Sequence, residues 1–227
     1  MVGIDLGTTN CAMAFIDTNQ HTPRVHDFPI SQIIAPGEVH ARDVLPSFLY
    51  EAGAAEFGPG VLRLPWEEQE QTSVVGAFAR DHGAEVPGRL IMSAKSWLSH
   101  AGVDRRASLL PWHGRADVPK RSPIEATARY LLHMRQAWNQ AHPDALLEHQ
   151  HVVITVPASF DEVARELTVE AALLAGLSTI VLLEEPQAAF YSWISSHEKT
   201  WHTLVQAGQT ILVCDIGGGT TDLTLIQ

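Results

Sequence analysis

Two short segments near opposite ends of the chain carry residues suited to binding phosphate. Both lie between apolar runs: Asp5-Leu6-Gly7-Thr8-Thr9-Asn10 and Asp215-Ile216-Gly217-Gly218-Gly219-Thr220-Thr221-Asp222. Each pattern predicts a β-hairpin whose turn is rich in Gly and Thr. Glycines let backbone N–H groups approach an anion closely, and threonine hydroxyls add hydrogen-bond donors. An Asp at the end of the first strand can hold a divalent metal, directly or through its water molecules.

A single hairpin of this kind is weak support for phosphate binding, because Gly and Thr are common in tight turns. Two copies at matching places indicate two halves that grip one polyphosphate from opposite sides. Neither copy is a Walker loop, since no Gly-Lys-Ser/Thr follows, and neither opens a helix as a dinucleotide-binding fingerprint does. The repeated pattern therefore predicts a nucleotide clamp.

Composition limits the other classes of function. The 227 residues have 45% hydrophobic content and a mean hydropathy of +0.00, which is typical of a globular protein with a sizeable core. The net charge of −11 argues against a nucleic-acid-binding or anionic-membrane surface. No apolar run reaches the roughly 20 residues that span a bilayer. Cys11 and Cys214 are the two cysteines and imply no disulfide framework or structural zinc site, so a cytoplasmic location is expected.

The order of predicted elements indicates an α/β fold with a mixed sheet flanked by helices. Ser122 followed by Pro123 and Glu125 predicts a capped helix start, and Asp161 predicts another. Gly176 is placed to end the second of these helices in a left-handed conformation. The expected strands and hairpins are 1–16, 47–51, 151–156, 179–183 and 211–226, and the expected helices are 72–82, 90–100, 122–141, 162–175 and 186–195. Residues 17–46 and 52–71 carry loop-like composition, and 101–121 indicate a hairpin or an irregular connection.

These blocks together resemble the nucleotide-binding (ATPase) domain of the 70-kDa heat-shock chaperone family, which belongs to the actin and sugar-kinase superfamily with a ribonuclease H-like fold. The resemblance covers both hairpins and several blocks in the middle of the chain, while residues 17–70 and 99–121 match poorly. The middle blocks are Val153-Ile154-Thr155-Val156-Pro157-Ala158-Ser159-Phe160, then Arg165, Ala175-Gly176-Leu177, and Glu185-Pro186-Gln187-Ala188-Ala189.

The resemblance implies a set of site residues for Mg-ATP. Asp5 and Asp215 would organise Mg²⁺ and its waters, while Glu185 would act on those waters or on the attacking water, supported by Asp222. Pro157 and Arg165 match a pair that relays the nucleotide state outward. The residues expected to line the phosphates are Gly7, Thr8, Thr9 and Asn10 on one side and Gly217, Gly218, Gly219 and Thr220 on the other.

One departure concerns the catalytic cation. The family has a Lys in a Gly-x-x-Ala-Lys context, and the matching stretch here is Gly76-Ala77-Phe78-Ala79-Arg80. Arg keeps the positive charge but is a planar fork, bulkier than an ammonium group. Arg80 is therefore expected to stabilise the charge of the transferring phosphoryl group, with slower hydrolysis than a Lys would give. Lys95 is the alternative cation.

The resemblance also implies a domain organisation. Residues 1–195 would form lobe I of an actin-like ATPase domain, with a divergent insertion at about 36–121, and 196–227 the first hairpin of lobe II. The rest of the adenosine pocket and a C-terminal domain that binds unfolded protein segments would lie outside this sequence. We then expect ATP or ADP with Mg²⁺ as ligand, co-chaperones as partners, weak nucleotide binding by this piece alone, and self-association through the apolar terminal hairpin.

Two other functions stay open. A sugar- or acetate-type kinase of the same superfamily would transfer phosphate to a metabolite, although the Val156-Pro157-Ala158 block argues against it. A binding module that senses the nucleotide without turnover is compatible with Arg at position 80. Retained Mg-ATP affinity without hydrolysis would indicate the second of these.

Overall fold

The structure is a computed structural model that describes residues 1–69, 71–218 and 221–227. In chain order, the strands are β1 (Val2–Leu6), β2 (Asn10–Ile16), β3 (Val25–Asp27), β4 (Ile30–Ala35), β5 (Glu38–Arg42), β6 (Val44–Pro46), β7 (Phe48–Glu51), β8 (Ser73–Val75), β9 (Leu90–Met92), β10 (Val152–Val156), β11 (Ile180–Glu184), β12 (Ile211–Ile216) and β13 (Thr221–Ile226). The α-helices are α1 (Ala77–Glu85), α2 (Ala94–Leu98), α3 (Pro123–Ala141), α4 (Glu162–Leu174), α5 (Glu185–Ser196) and α6 (Trp201–Leu204).

The largest sheet has the strand order β11-β10-β1-β2-β3, with β6 also pairing with β2. Strands β11, β10 and β1 run parallel to one another, whereas β2 is antiparallel to β1, β3 and β6. Alternation along β1 buries Val2, Ile4 and Leu6 in a core shared with α2, α3 and α4. The predicted α/β fold with a mixed sheet flanked by helices is confirmed.

Smaller sheets surround this one in the described part of the chain. β7 pairs with β8 and β9, β4 pairs with β5, and β12 pairs with β13. One face of the β12–β13 hairpin leaves Leu212, Leu223 and Leu225 exposed. None of the described helices is both long and apolar enough to cross a bilayer. The division into two lobes, and self-association through this hairpin, stay predictions.

The helices α3 and α4 begin where the sequence predicted them. Ser122 Oγ accepts from Glu125 N at 3.1 Å, and Glu125 Oε2 accepts from Ser122 N at 2.7 Å, which forms a capping box. Asp161 Oδ1 accepts from Ala164 N at 2.7 Å and caps α4. Gly176 has φ of 82° just after α4, which glycine adopts without the strain of a Cβ.

The expected helix over 72–82 is wrong in its first part. β8 pairs with β7 there, and the β-branched Val74 and Val75 are both buried by that pairing. Gly76 then turns the chain with φ of 100°, and the helix α1 begins only at Ala77. A strand, β9, likewise replaces the first turn of the helix expected over 90–100. The segment 17–46 contains β3 to β6 rather than loop, because tertiary pairing overrides its polar composition.

We expect Ser122→Ala to lower the free energy of unfolding by about 1 kcal/mol, because it removes the N-cap acceptor of the longest helix. Urea unfolding followed by circular dichroism measures the change. Ser108 is exposed outside any helix or strand, so Ser108→Ala is the matched control, with an expected effect below about 0.5 kcal/mol. Equal losses in both variants would contradict the capping role.

His133 predicts a specific acid sensitivity. Burial lowers the pKa of His133 from 6.5 to about 4, and its Nε2 lies 2.9 Å from Ser31 O. Because the folded-state pKa is the lower one, the unfolded chain takes up a proton first as the pH falls below 6.5. His133 should therefore cost about 1.4 kcal/mol of stability per pH unit between pH 6.5 and 4.

His133→Gln keeps a donor for Ser31 and should flatten this part of the stability curve, measured by urea unfolding at a series of pH values. His40→Gln, on the exposed strand β5, is the control and should leave the slope unchanged. A wild-type slope in His133→Gln would mean that other groups cause the acid loss.

Candidate functional site

The first site residue, Asp5, lies on the central strand of the main sheet. β1 pairs in parallel with β10 through Ile4 and Ile154, so the next residues along, Asp5 and Thr155, lie side by side. Thr155 Oγ1 donates to Asp5 Oδ1 at 2.7 Å. This hydrogen bond holds one carboxylate oxygen and leaves the other for a ligand or a metal-bound water.

The turn between β1 and β2 is braced from behind by Ser47. Ser47 Oγ donates to Gly7 O at 2.7 Å, and Ser47 N donates to Thr9 O at 2.8 Å. Cys11 Sγ lies 3.3 Å from the same hydroxyl, where its thiol can donate. With its carbonyls held on one side, the turn can keep its N–H groups and the hydroxyls of Thr8 and Thr9 for the cavity.

Glycine is required where the two hairpin turns come together. A Cβ on Gly218 would overlap the Oγ1 of Thr9, so the second turn approaches the first more closely than any side chain would allow. A Cβ on Gly7 would overlap Asn10 O within the first turn. Gly219 and Thr220 lie outside the described residues.

Behind the turns, Lys95 Nζ forms an ion pair with Glu185 Oε1. The side chains are only 8% and 15% exposed, so both charges depend on each other for compensation. Lys95 lies on the short helix α2, and Glu185 is the first residue of α5, where the helix dipole favours a carboxylate. Burial raises the pKa of Glu185, and Asp5 and Asp215 add to the rise while Lys95 opposes it.

These groups surround one cavity of about 660 Å³. Its size and its mixture of carboxylates, hydroxyls, glycines and one ammonium group suit a polyphosphate with a metal ion. The lining residues are Asp5, Gly7, Thr8, Thr9, Asn10, Lys95, Thr155, Glu185, Ala188, Ala189, Ser192, Cys214, Asp215, Gly217 and Gly218. The structure thus brings most of the predicted site residues together.

Arg80 is a predicted site residue that the structure does not bring to this cavity. Its side chain is 48% exposed, and its Nε donates to Asp81 Oδ1 at 2.7 Å on the same helix, α1. Lys95 lines the cavity instead. The geometry therefore places Lys95, and not Arg80, at the cavity, while the catalytic role of the cation stays a prediction.

Three other predicted residues lie near the cavity without lining it. Asp222 is half-buried and pairs with Asp215 across the β12–β13 hairpin. Pro157 is buried just after β10. Arg165 Nη2 donates to Glu184 Oε1 at 2.8 Å, and Glu184 immediately precedes Glu185. Arg165 is thus connected to the cavity-lining Glu185 only through Glu184, and its relay role stays a prediction.

Sequence reasoning missed Thr155 and Ser47 as site residues and kept Lys95 only as an alternative. The sequence carries a signal for two of them. Lys95 follows the apolar Ala94 and lies one helical turn before Leu98, which indicates a partly buried and paired ammonium group. Thr155 alternates with buried residues on a strand that ends beside Asp5. Ser47 has no such local signal, because the pairing of β6 with β2 brings it to the turn.

The carboxylates do not form a closed metal cage. Among residues 1–69, 71–218 and 221–227, no group of three or more His, Cys, Asp or Glu side chains could hold a metal ion by itself. Mg²⁺ usually keeps several waters and takes one or two carboxylates together with substrate phosphates. The convergence of Asp5 and Asp215 on one cavity fits that kind of binding.

Comparison with known protein families gives a match over the greater part of the chain. The family model described as "Hsp70 protein" matches residues 70–227. This match contains the second hairpin, Lys95 and Glu185, and excludes the first hairpin.

Curated relatives match the whole chain. A protein named "Chaperone protein HscA homolog" from Bordetella pertussis is 32% identical over 237 residues, covering 100% of this chain. "Chaperone protein HscA" from Salmonella agona is 31% identical over 234 residues, covering 99% of this chain. The chain spans about a third (32%) of the length of these relatives.

The two cysteines beside the cavity should react very differently with a thiol reagent. Burial raises the pKa of Cys11 from 9.0 to about 11, which leaves it about a hundredfold less thiolate at neutral pH, whereas Cys214 is exposed. We expect Ellman's reagent to modify one thiol per native chain and both after denaturation. Cys214→Ser should remove the fast reaction and Cys11→Ser should preserve it; two equally fast thiols would contradict the buried position of Cys11.

Proposed function

This chain belongs to the Hsp70 family, and we propose that it forms the phosphate- and magnesium-binding part of a chaperone ATPase. In the full-length protein, ATP and Mg²⁺ bind between the two Gly/Thr-rich hairpins, and the γ-phosphate is transferred to water. The observation that carries the proposal is the single cavity in which the β1–β2 and β12–β13 turns meet around the Lys95–Glu185 pair.

The residues present fit Mg-ATP. Backbone N–H groups of the two turns and the hydroxyls of Thr8 and Thr9 donate to phosphate oxygens, as a glycine-rich cradle does. The close approach of Gly218 to Thr9 closes the cradle on one side. Asp5 and Asp215 would hold Mg²⁺ through its waters, and the ion would neutralise phosphate charge that a chain of net charge −11 would otherwise repel.

Lys95 and Glu185 have different roles in hydrolysis. Lys95 directs positive charge at the transferring phosphoryl group, where charge is spread over its oxygens. Glu185 holds Lys95 in place and orients the attacking water, and its raised pKa improves it as a proton acceptor. No covalent enzyme intermediate is needed, because positioning and charge neutralisation account for this kind of catalysis.

The change of nucleotide state is passed to other parts of the protein through Glu184 and Arg165. Glu185 follows Glu184, which accepts from Arg165 on α4, and Arg165 Nε also donates to Phe160 O at 3.3 Å, after Pro157. We infer that a shift of Glu185 on loss of the γ-phosphate is passed to α4 along this route. The proposed partners are co-chaperones and unfolded protein segments, the latter bound outside these 227 residues, in keeping with relatives named as chaperones.

The test is single-turnover ATP hydrolysis by the full-length protein, comparing Lys95→Gln with Arg80→Gln. Lys95→Gln should lower the rate by about a hundredfold or more, because it removes the charge aimed at the phosphoryl group. Arg80→Gln is the matched control and should change the rate by less than about twofold, since Arg80 lies outside the cavity. Mg-ATP affinity and circular dichroism confirm that each variant is folded.

The other outcomes separate the rival functions. Loss of turnover in Arg80→Gln with activity kept in Lys95→Gln would return the cation role to Arg80. Tight Mg-ATP binding without turnover in the wild type would indicate a nucleotide-sensing module. ATP consumption only after a sugar or acetate is added would indicate a metabolite kinase.

A further inference from the structure

A second polar chamber lies away from the nucleotide cavity, between α3 and β8. It measures about 150 Å³, room for about five water molecules at roughly 30 Å³ each. Leu62 and Leu64 contribute apolar walls. The polar side chains that line it are Glu67, Gln71, Ser73, Arg129, His133 and Gln136. No residue of the nucleotide cavity lines this chamber.

The guanidinium of Arg129 makes few hydrogen bonds to the described residues around this chamber. Its Nη2 donates to Ser73 Oγ at 2.8 Å, and within the described part of the chain this is its one hydrogen bond. No described carboxylate forms an ion pair with it. Since an Arg fork carries several N–H donors, most of those on Arg129 have no protein acceptor among the described residues.

The surrounding charges compensate Arg129 only in part. The buried carboxylate of Glu51 is taken by Arg121, which reaches it through both Nε and Nη2. Burial lowers the pKa of Arg129 and the charge of Arg121 lowers it further, while Glu51 and Glu67 raise it without offsetting the fall. Arg129 is thus a half-buried cation beside a neutralised ion pair, in a setting that disfavours its own charge.

The remaining polar groups select the kind of ligand. Glu67 Oε2 accepts from Leu64 N at 2.8 Å and forms no ion pair with Arg129 within the described part of the chain; burial raises the pKa of this carboxyl, and the hydrogen bond from Leu64 and the charge of Arg129 oppose the rise. His133 stays neutral, and its Nε2 bonds Ser31 O. A cation would be repelled by Arg129, and a neutral ligand would leave its charge only partly compensated. A small anion with several acceptor oxygens satisfies both the charge and the free donors.

We propose that the chamber is a binding site for a small oxyanion, a carboxylate or a phosphate-sized group, held by Arg129 with Ser73, Gln71 and Gln136 as neighbouring polar contacts. Such a ligand links the segment before β8 to helix α3. The site is independent of the nucleotide cavity and of the proposed ATPase activity.

The test measures the midpoint of thermal unfolding against increasing inorganic phosphate or sodium acetate, at constant ionic strength with chloride as the reference anion. The wild type and Arg24→Gln, a control that removes an exposed Arg, should show a saturable rise. Arg129→Gln should lose it, with an apparent affinity at least about tenfold weaker. Glu67→Gln should bind at least as tightly as the wild type, since it removes a like charge from the chamber.

Lys95→Gln separates this site from the nucleotide cavity, which also attracts phosphate. The Arg129-dependent rise should persist in Lys95→Gln. A rise with phosphate alone or with acetate alone supports the proposal and identifies the preferred anion. A full rise in Arg129→Gln, or a rise lost in Lys95→Gln and kept in Arg129→Gln, would overturn it.

If Arg129→Gln does not fold, Arg129→Lys and Glu67→Gln still decide the question. Arg129→Lys keeps the charge without the fork and should weaken anion binding severalfold. Loss of the anion effect in Glu67→Gln would overturn the proposal, because it would mean that the two side chains act only as a structural pair.

Discussion

The nucleotide cavity depends on the buried ion pair between Lys95 and Glu185. Two charges withdrawn from water are costly, and each is tolerated because the other is present. The pair ties α2 to the start of α5 and so fixes the wall between the two hairpins. Removing one partner would leave an uncompensated charge in the wall of the cavity. The pair therefore stabilises the cavity wall and, on the proposed function, also contributes to ligand binding.

The rest of the cavity is built from groups that do little for stability by themselves. The carbonyls of Gly7 and Thr9 are fixed by Ser47, and one oxygen of Asp5 is fixed by Thr155. Each contact satisfies a polar group from the side away from the cavity. The side of each group that faces the cavity is then available to a ligand. A site held in this way by strands is rigid and can still bind.

The sequence predicted the elements whose signals are local. The capping box at Ser122, the cap at Asp161 and the left-handed Gly176 depend on neighbouring residues, and all three appear as expected. Strands β6 and β8 were missed because their pairing partners, β2 and β7, lie far away in sequence, whereas β4 and β5 form a local hairpin that the loop-like composition of 17–46 concealed. The same limit explains Arg80: its alignment with a family lysine says nothing about the direction of its helix, which turns the side chain towards Asp81.

Residues that meet across elements were the hardest to foresee. Ser47 reaches the first turn only because β6 pairs with β2, and the Arg129 chamber exists only because α3 packs near β8. Asp5 and Asp215 were foreseeable, since each ends a strand before a glycine turn. The residue types in the two turns thus predict the turns from local sequence, whereas the residues that support them are brought there by strand pairing and helix packing.

The charges that line the cavity are unbalanced. Asp5, Glu185 and Asp215 line one cavity, and the two aspartates raise the pKa of Glu185 against the pull of Lys95. A single ammonium group cannot neutralise three carboxylates and a polyphosphate. On the proposed function, Asp5 and Asp215 would hold a divalent ion, whose charge would restore the balance. The excess of negative charge would then disfavour phosphate alone and favour phosphate bound together with its metal.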